Sequence, residues 1–183
     1  MMPELSLNIL DVAKNSVTAG ATLIQIGVTA DTAADRLKIS ITDNGCGMDE
    51  QTVRRVTDPF YTTRTTRKVG LGVPFFKMAA EMTGGSFAID SRPGEGTAVR
   101  AVFGLRHIDR MPMGDLAASF CTLLQPNPEV DFVLTYAVDD HGFTIDTREY
   151  RAVLEGLSLG EPEVLAFIAE QIREGMRECG GGV

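Results

Sequence analysis

The sequence predicts an α+β fold in which short, half-buried strands, joined in antiparallel pairs, lie beside amphipathic helices. Leu5, Ile9, Val12, Ala13 and Val17 recur at the spacing of one helix face. Ile24, Ile26 and Val28, then Leu37, Ile39 and Ile41, and later Val130, Phe132, Leu134, Tyr136 and Val138, follow the two-residue period of strands. Turn-forming stretches separate the runs at Asp31 to Asp35, at Arg92-Pro93-Gly94-Glu95-Gly96 and at Asp139-Asp140-His141-Gly142.

At 183 residues, 44% hydrophobic and 23% charged, the chain is long enough for one sizeable domain with a smaller appendage. No apolar run approaches the roughly 18 residues that span a bilayer, and the N-terminus lacks a basic segment leading into an apolar one. The expectation is a cytoplasmic protein with no membrane partner. Cys46, Cys121 and Cys179 have no pairing or zinc-like spacing and read as reduced thiols. Residues 1–104 carry 11 Lys or Arg against 11 Asp or Glu, whereas residues 105–183 carry 6 against 14 and so hold the whole net charge of -8. This change of character places a boundary near Gly104, with one unit over 1–105 and a small acidic one over 106–183. It also argues against nucleic acid as a partner of the acidic part.

Along the first helix, Asn8, Asp11 and Asn15 share the stripe opposite the apolar one, and Asp11 and Asn15 lie one turn apart. A carboxylate and a carboxamide so placed suit a hydrated magnesium ion, and they equally suit a solvated helix face. Gly20 ends the helix, and strands follow over 22–29 and 37–42. Asp43-Asn44-Gly45-Cys46-Gly47-Met48 lies at the exit of the second strand. A carboxylate followed by two glycines fits ordinary turn chemistry and also a wall against which a flat ligand can lie.

A short helical piece over 50–56 leads to the run from Asp58 to Lys68, rich in hydroxyls and cations. It reads as a basic surface loop or as a lid whose Arg64, Arg67 and Lys68 meet phosphate oxygens. Gly70-Leu71-Gly72-Val73-Pro74 then opens a helix to about Thr83, and free N–H groups at such a start favour phosphate. It is neither a Walker loop nor a dinucleotide fingerprint, because the Lys-Ser/Thr and the third glycine are missing. Strands over 86–91 and 97–104 complete this part.

In this order the pieces resemble the GHKL superfamily of ATPases, which includes DNA gyrases, heat-shock chaperones, histidine kinases and mismatch-repair ATPases. Asp11-Val12-Ala13-Lys14-Asn15 is similar to the N box, Asp43 to Gly47 to the first glycine box, and Asp58 to Arg64 to the phenylalanine box. Gly70-Leu71-Gly72-Val73 is similar to the second glycine box, and Gly96-Thr97 to the Gly-Thr motif. Each box is loose alone; five in the correct order are specific, and they cover about residues 3–104.

The resemblance implies the Bergerat fold, a two-layer α/β sandwich with an antiparallel sheet backed by helices, and the cofactors ATP and Mg²⁺. Its ATP site would be formed by Asn8, Asn15, Asp43, Gly45, Gly47, Met48, Thr62, Thr63, Arg64, Lys68, Gly70, Leu71, Gly72, Val73 and Thr97. Asn15 would bind the magnesium ion and Asp43 would accept from the adenine amino group. Three features depart from the family pattern: Asp11 stands where hydrolysing members usually place Glu and histidine kinases commonly place Asn, the lid is short, and no phosphoacceptor helix precedes the N box. Asp11 is the candidate general base.

In the acidic third, a helix over 115–124, a hairpin over 130–147, a helical piece over 150–157 and a last helix opened by Pro162 are expected. An isolated hairpin is marginal, so this part must pack on its own helices, on the ATPase core or on a second chain. A docking or dimerising module is the expected role. Two functions follow: transfer of the γ-phosphoryl group of Mg-ATP to a phosphoacceptor on a separate protein, or a nucleotide-gated binding module or slow ATPase. A homodimer remains open.

Overall fold

The computed structural model describes residues 3–58, 71–181 and 183. The first helix, α1 (Leu5–Thr18), turns its buried side, Leu5, Ile9, Val12, Ala13 and Ser16, toward the core. The hairpin of β1 (Leu23–Asp31) and β2 (Arg36–Asp43) pairs in antiparallel register, with Ile26 opposite Ile41 and Val28 opposite Ile39. Its alternation sends Ile24, Ile26, Val28 and Ala30, and Leu37, Ile39 and Ile41, into the interior. Burying each larger aliphatic side chain is worth about 1.5–3 kcal/mol. Lys38 and Thr42 on the other face stay in water.

Then follow α2 (Glu50–Thr57), capped by Asp49 accepting from the Thr52 N–H, and α3 (Gly72–Met82). The latter begins two residues before Pro74, which occupies the first turn where a missing N–H costs nothing. The hairpin of β3 (Ser86–Arg92) and β4 (Gly96–Gly104) closes this half, and β4 pairs antiparallel with β2.

The acidic third continues with α4 (Leu116–Leu124), β5 (Asp131–Val138), β6 (His141–Asp146), α5 (Thr147–Val153) and α6 (Pro162–Glu178). Its hairpin joins the main sheet, because β5 pairs parallel with β1, Ile24 beside Phe132 and Ile26 beside Leu134. The six strands run in the order β3-β4-β2-β1-β5-β6. A parallel neighbour needs a crossover, which the segment containing α4 supplies between β4 and β5. This part packs on its own helices, with α4 against α6 and Phe120 against Phe132, and also on the first half, since Phe120, Phe132, Leu134, Tyr136 and Ile168 belong to the same buried cluster as Ile9 and Phe103. Asp139 reinforces the join by accepting from the N–H and hydroxyl of Thr32 at 2.8 and 2.7 Å, so the turn after β5 is tied to the turn after β1.

Helix α5 starts three residues earlier than the sequence predicts, because Asp146 caps it by accepting from the Arg148 N–H. The three cysteines are free thiols.

Candidate functional site

On β2 the inward positions are Leu37, Ile39, Ile41 and then Asp43, so the apolar face of the strand ends on a carboxylate that is only 9% exposed. Its cross-strand neighbours are Ile24 on β1 and Thr97 on β4. Asp43 Oδ2 accepts from the Ser16 hydroxyl at 2.6 Å, and Oδ1 accepts from the Gly45 N–H at 2.9 Å. Each carboxylate oxygen can accept about two hydrogen bonds, so one acceptor position remains on each.

The carboxylate lines a cavity of about 420 Å³ between α1, α2, α3 and strands β2, β3 and β4. That volume is within the roughly 300–1,000 Å³ of small-molecule sites. Its walls are apolar at Val12, Met48, Val56, Val73, Ile89 and Val99, and polar at Asn15, Ser16, Asp43 and Thr97. Such a lining suits a flat, mostly apolar ring that must satisfy a few directed hydrogen bonds.

Glycines shape this wall by what they leave out. Gly47 has φ +66°, and a Cβ there would lie 1.9 Å from the Arg92 carbonyl oxygen. Gly96, at φ +94°, would place a Cβ 2.0 Å from the Asp43 carbonyl oxygen. Only glycine lets the loop after β2 close onto the β3–β4 turn. A relay supports the closure: the Met48 N–H donates to Ser91 Oγ, which donates to the Gly96 carbonyl and lies 2.8 Å from Thr97 Oγ1.

The start of α3, whose Val73 lines the cavity, meets α1. A Cβ on Gly72 would lie 1.9 Å from Asp11 Oδ2, so the Asp11 carboxylate sits directly against the first turn of α3. That turn presents unpaired N–H groups and the positive end of the helix dipole. Asn15 is exposed at the cavity wall one turn after Asp11.

The sequence-predicted residues therefore divide into four groups. Asn15, Asp43, Gly47, Met48, Val73 and Thr97 line one cavity. Asp11, Gly45 and Gly72 touch its framework without appearing in the lining, and Leu71 precedes α3 with its side chain largely exposed. Asn8 is placed elsewhere. Expected on the open stripe of α1, it is 1% exposed, donates to the Glu4 carbonyl and borders a small crevice with Phe75, Met78 and Met111. Packing of α3 and the 109–111 segment over that side of α1 takes it out of the ligand-facing stripe. Thr62, Thr63, Arg64, Lys68 and Gly70 lie outside the described residues.

Sequence reasoning missed Ser16 and Ser91. Ser16 was legible in principle: it continues the apolar stripe of Ile9, Val12 and Ala13, and a hydroxyl at a core position needs a partner. Ser91 has no such signal, because its role depends on its register opposite Thr97.

A magnesium ion fits the donors present. The Asn15 carboxamide makes no side-chain hydrogen bond among the described residues, and no group of three or more His, Cys, Asp or Glu able to hold a metal occurs among them. One amide oxygen suits an ion that keeps most of its shell as water and phosphate oxygen.

Residues 2–107 match the family model described as histidine kinase-, DNA gyrase B- and HSP90-like ATPase. The chain is 32% identical over 122 residues to the non-motile and phage-resistance protein of Caulobacter vibrioides, covering 63% of this chain and 14% of that one. It is 36% identical over 103 residues to a putative sensor protein of Shewanella frigidimarina, covering 55% of this chain and 16% of that one. It is also 36% identical over 97 residues to the sensor protein kinase FleS of Pseudomonas aeruginosa, covering 53% and 24%. The chain thus spans a quarter or less of these curated relatives. A crystal structure of the N-terminal domain of a DNA repair protein superposes with a TM-score of 0.51 at 13% identity, covering 98% of this chain and 57% of that one, which is a likeness of fold. No helix among the described residues is long and apolar enough to cross a membrane.

Proposed function

Because the chain belongs to the histidine kinase-, DNA gyrase B- and HSP90-like ATPases, a family that binds ATP, we propose that it binds Mg-ATP in the cavity beside Asp43 and passes the γ-phosphoryl group to a separate protein. The observation that carries this reading is that Asp43, Asn15 and Val73 of α3 line one cavity, with Asp11 against the first turn of α3. Asp43 is a buried carboxylate with spare acceptor capacity, and Asp11 is a second carboxylate set against a helix N-terminus whose Val73 lines the same cavity.

Asp43 accepts from the exocyclic amino group of adenine, while Val12, Met48, Ile89 and Val99 cover the faces of the ring. The first turn of α3 at Gly72 and Val73 receives phosphate oxygens through its N–H groups. Asn15 would hold the magnesium ion, which supplies neutralising charge on the phosphates when bound. Asp11, beside that turn, takes the proton of the incoming acceptor as its new bond to the γ-phosphorus forms and the bond to the bridging oxygen breaks, with ADP leaving. The protein's contribution is positioning and charge, since phosphoryl transfer asks for little covalent chemistry from the enzyme. Sensor kinases among the relatives favour a signalling role with a protein acceptor; a cytoplasmic setting and a nucleotide-driven homodimer are compatible with it.

Incubation with γ-labelled ATP and an extract of the source cells tests the transfer. Label should move to a second polypeptide, and Asp11→Asn should abolish that label while keeping nucleotide affinity. Unchanged labelling removes Asp11 from the role of base. Nucleotide binding without any labelled acceptor, in variant and parent alike, supports instead a module whose partner affinity is switched by ATP.

A further inference from the structure

At the far end of the sheet from the nucleotide cavity, α5 and α6 enclose an open groove of about 450 Å³. Tyr150 and Phe167 both line it and meet edge to face, with ring centroids 6.2 Å apart and planes at 67°. Val153, Leu157 and Phe167 line it while 79%, 52% and 57% exposed, so three of the seven large exposed hydrophobic side chains among the described residues share this one surface. Water contact with so much clustered apolar area marks an interaction site.

The charge around the groove selects among occupants. Glu149 and Glu163 stand on its rim, and neither makes a hydrogen bond or ion pair among the described residues. The cations of this part make their ion pairs and hydrogen bonds with other groups, although Arg148 also feels the charge of the adjacent Glu149. Arg148 pairs with Asp146, Arg151 with Asp131, Arg173 with Asp115, Arg177 with Glu170 and Arg106 with Asp35, while Arg110 donates to the Leu105 and Met111 carbonyls. The rim acids are therefore left for an outside partner, inside a region that carries the whole net charge of the chain. A second copy seated by two-fold symmetry would bring the same acids face to face. An anionic membrane surface would be repelled.

We infer that the α5–α6 groove docks an amphipathic helix of a partner protein, one that presents an apolar stripe flanked by Lys or Arg. Two helices forming the walls of an apolar channel receive a third through side chains at i, i+3, i+4 and i+7. The rim carboxylates meet the flanking cations and set orientation and on-rate, while the apolar lining sets residence time. This site is separate from the nucleotide cavity and holds whether or not phosphoryl transfer occurs.

The test uses the full chain without nucleotide and two fluorescein-labelled helical peptides of about 15 residues. Both carry Leu at i, i+3, i+4 and i+7; one has Lys flanks and the other Glu flanks. Fluorescence anisotropy should show the Lys-flanked peptide binding about tenfold tighter or better, with affinity falling as salt rises. Phe167→Ser should weaken it about tenfold, and Glu149→Lys with Glu163→Lys should reverse the preference toward the Glu-flanked peptide. The exposed double charge reversal keeps the apolar lining, so it reads out the docking even if Phe167→Ser harms folding. Equal binding of the two peptides, or a preference that survives the charge reversal, overturns the inference. So does a dimer in sedimentation that Phe167→Ser dissolves, or binding to phosphatidylglycerol vesicles that the same variant abolishes.

Discussion

Replacing Ser16 by Ala removes the donor to a carboxylate that is buried with it. Ser16 is 4% exposed and Asp43 9%, and their oxygens are 2.6 Å apart. Hydrogen bonds to charged groups contribute about 1.5–3 kcal/mol, and removing one partner leaves the other's desolvation uncompensated. For a chain of this size each kcal/mol corresponds to roughly 2–4 °C, so Ser16→Ala should lower Tm by about 3–12 °C. Asp43→Asn acts differently, because an amide can still accept from one neighbour and can turn its NH₂ to Ser16 Oγ. Its cost to folding should be the smaller of the two, but the NH₂ would face the donor of an adenine ring, and ATP affinity should fall about 100-fold or more. Urea unfolding and calorimetry on parent, both single variants and the double variant complete the cycle. The stability coupling between the two positions should be at least about 1 kcal/mol. Additive stability effects, or a Ser16→Ala variant within about 0.5 kcal/mol of the parent, would refute the role given to this pair.

Gly47→Ala must adopt φ near +66° with its methyl group 1.9 Å from a backbone oxygen; a loss of at least about 2 kcal/mol in urea unfolding is expected, with weakened nucleotide binding because the same loop lines the cavity. Asp115 caps α4, and acceptance from the Ala118 N–H, followed by the Arg173 guanidinium, holds its carboxyl below the usual carboxylate range. Its folded-state pKa being lowered, its stabilisation is present above the unfolded-state value and is lost as pH falls through the folded one. Asp115→Asn should therefore be less stable than the parent by about 0.5 kcal/mol near neutral pH, the group being half exposed. The two unfolding curves should converge once the pH falls below the lowered folded-state range of Asp115. A constant gap across that range would contradict the assignment.

Much of the fold was legible because its elements carry undiluted periodicity. The apolar runs of α1, β1, β2 and β5 each bury one face, and Pro162 opens α6 as its spacing implies. What the sequence could not convey was how distant elements meet. The parallel pairing of β1 with β5 joins residues more than 100 positions apart, and no local turn fixes its register. The change in charge near Gly104 suggested a seam, whereas the buried cluster runs across it. At the site, Asp43 was visible because a carboxylate ended an apolar alternation, and Gly47 because a glycine followed it. Asn8 was misplaced because helical spacing tells which residues share a stripe but not which neighbours cover it. Ser91 acts through partners distant in sequence or set by strand register, the Met48 N–H, the Gly96 carbonyl and Thr97.

A nucleotide lying against Asp43 is tested most directly by calorimetry with ATP and GTP in the presence of magnesium. Adenine offers an amino group where guanine offers a carbonyl oxygen, which the carboxylate repels, so ATP should bind about 100-fold tighter or better. In Asp43→Asn that margin should collapse. Equal affinity for the two nucleotides in the parent, or no heat with either, would contradict the claim.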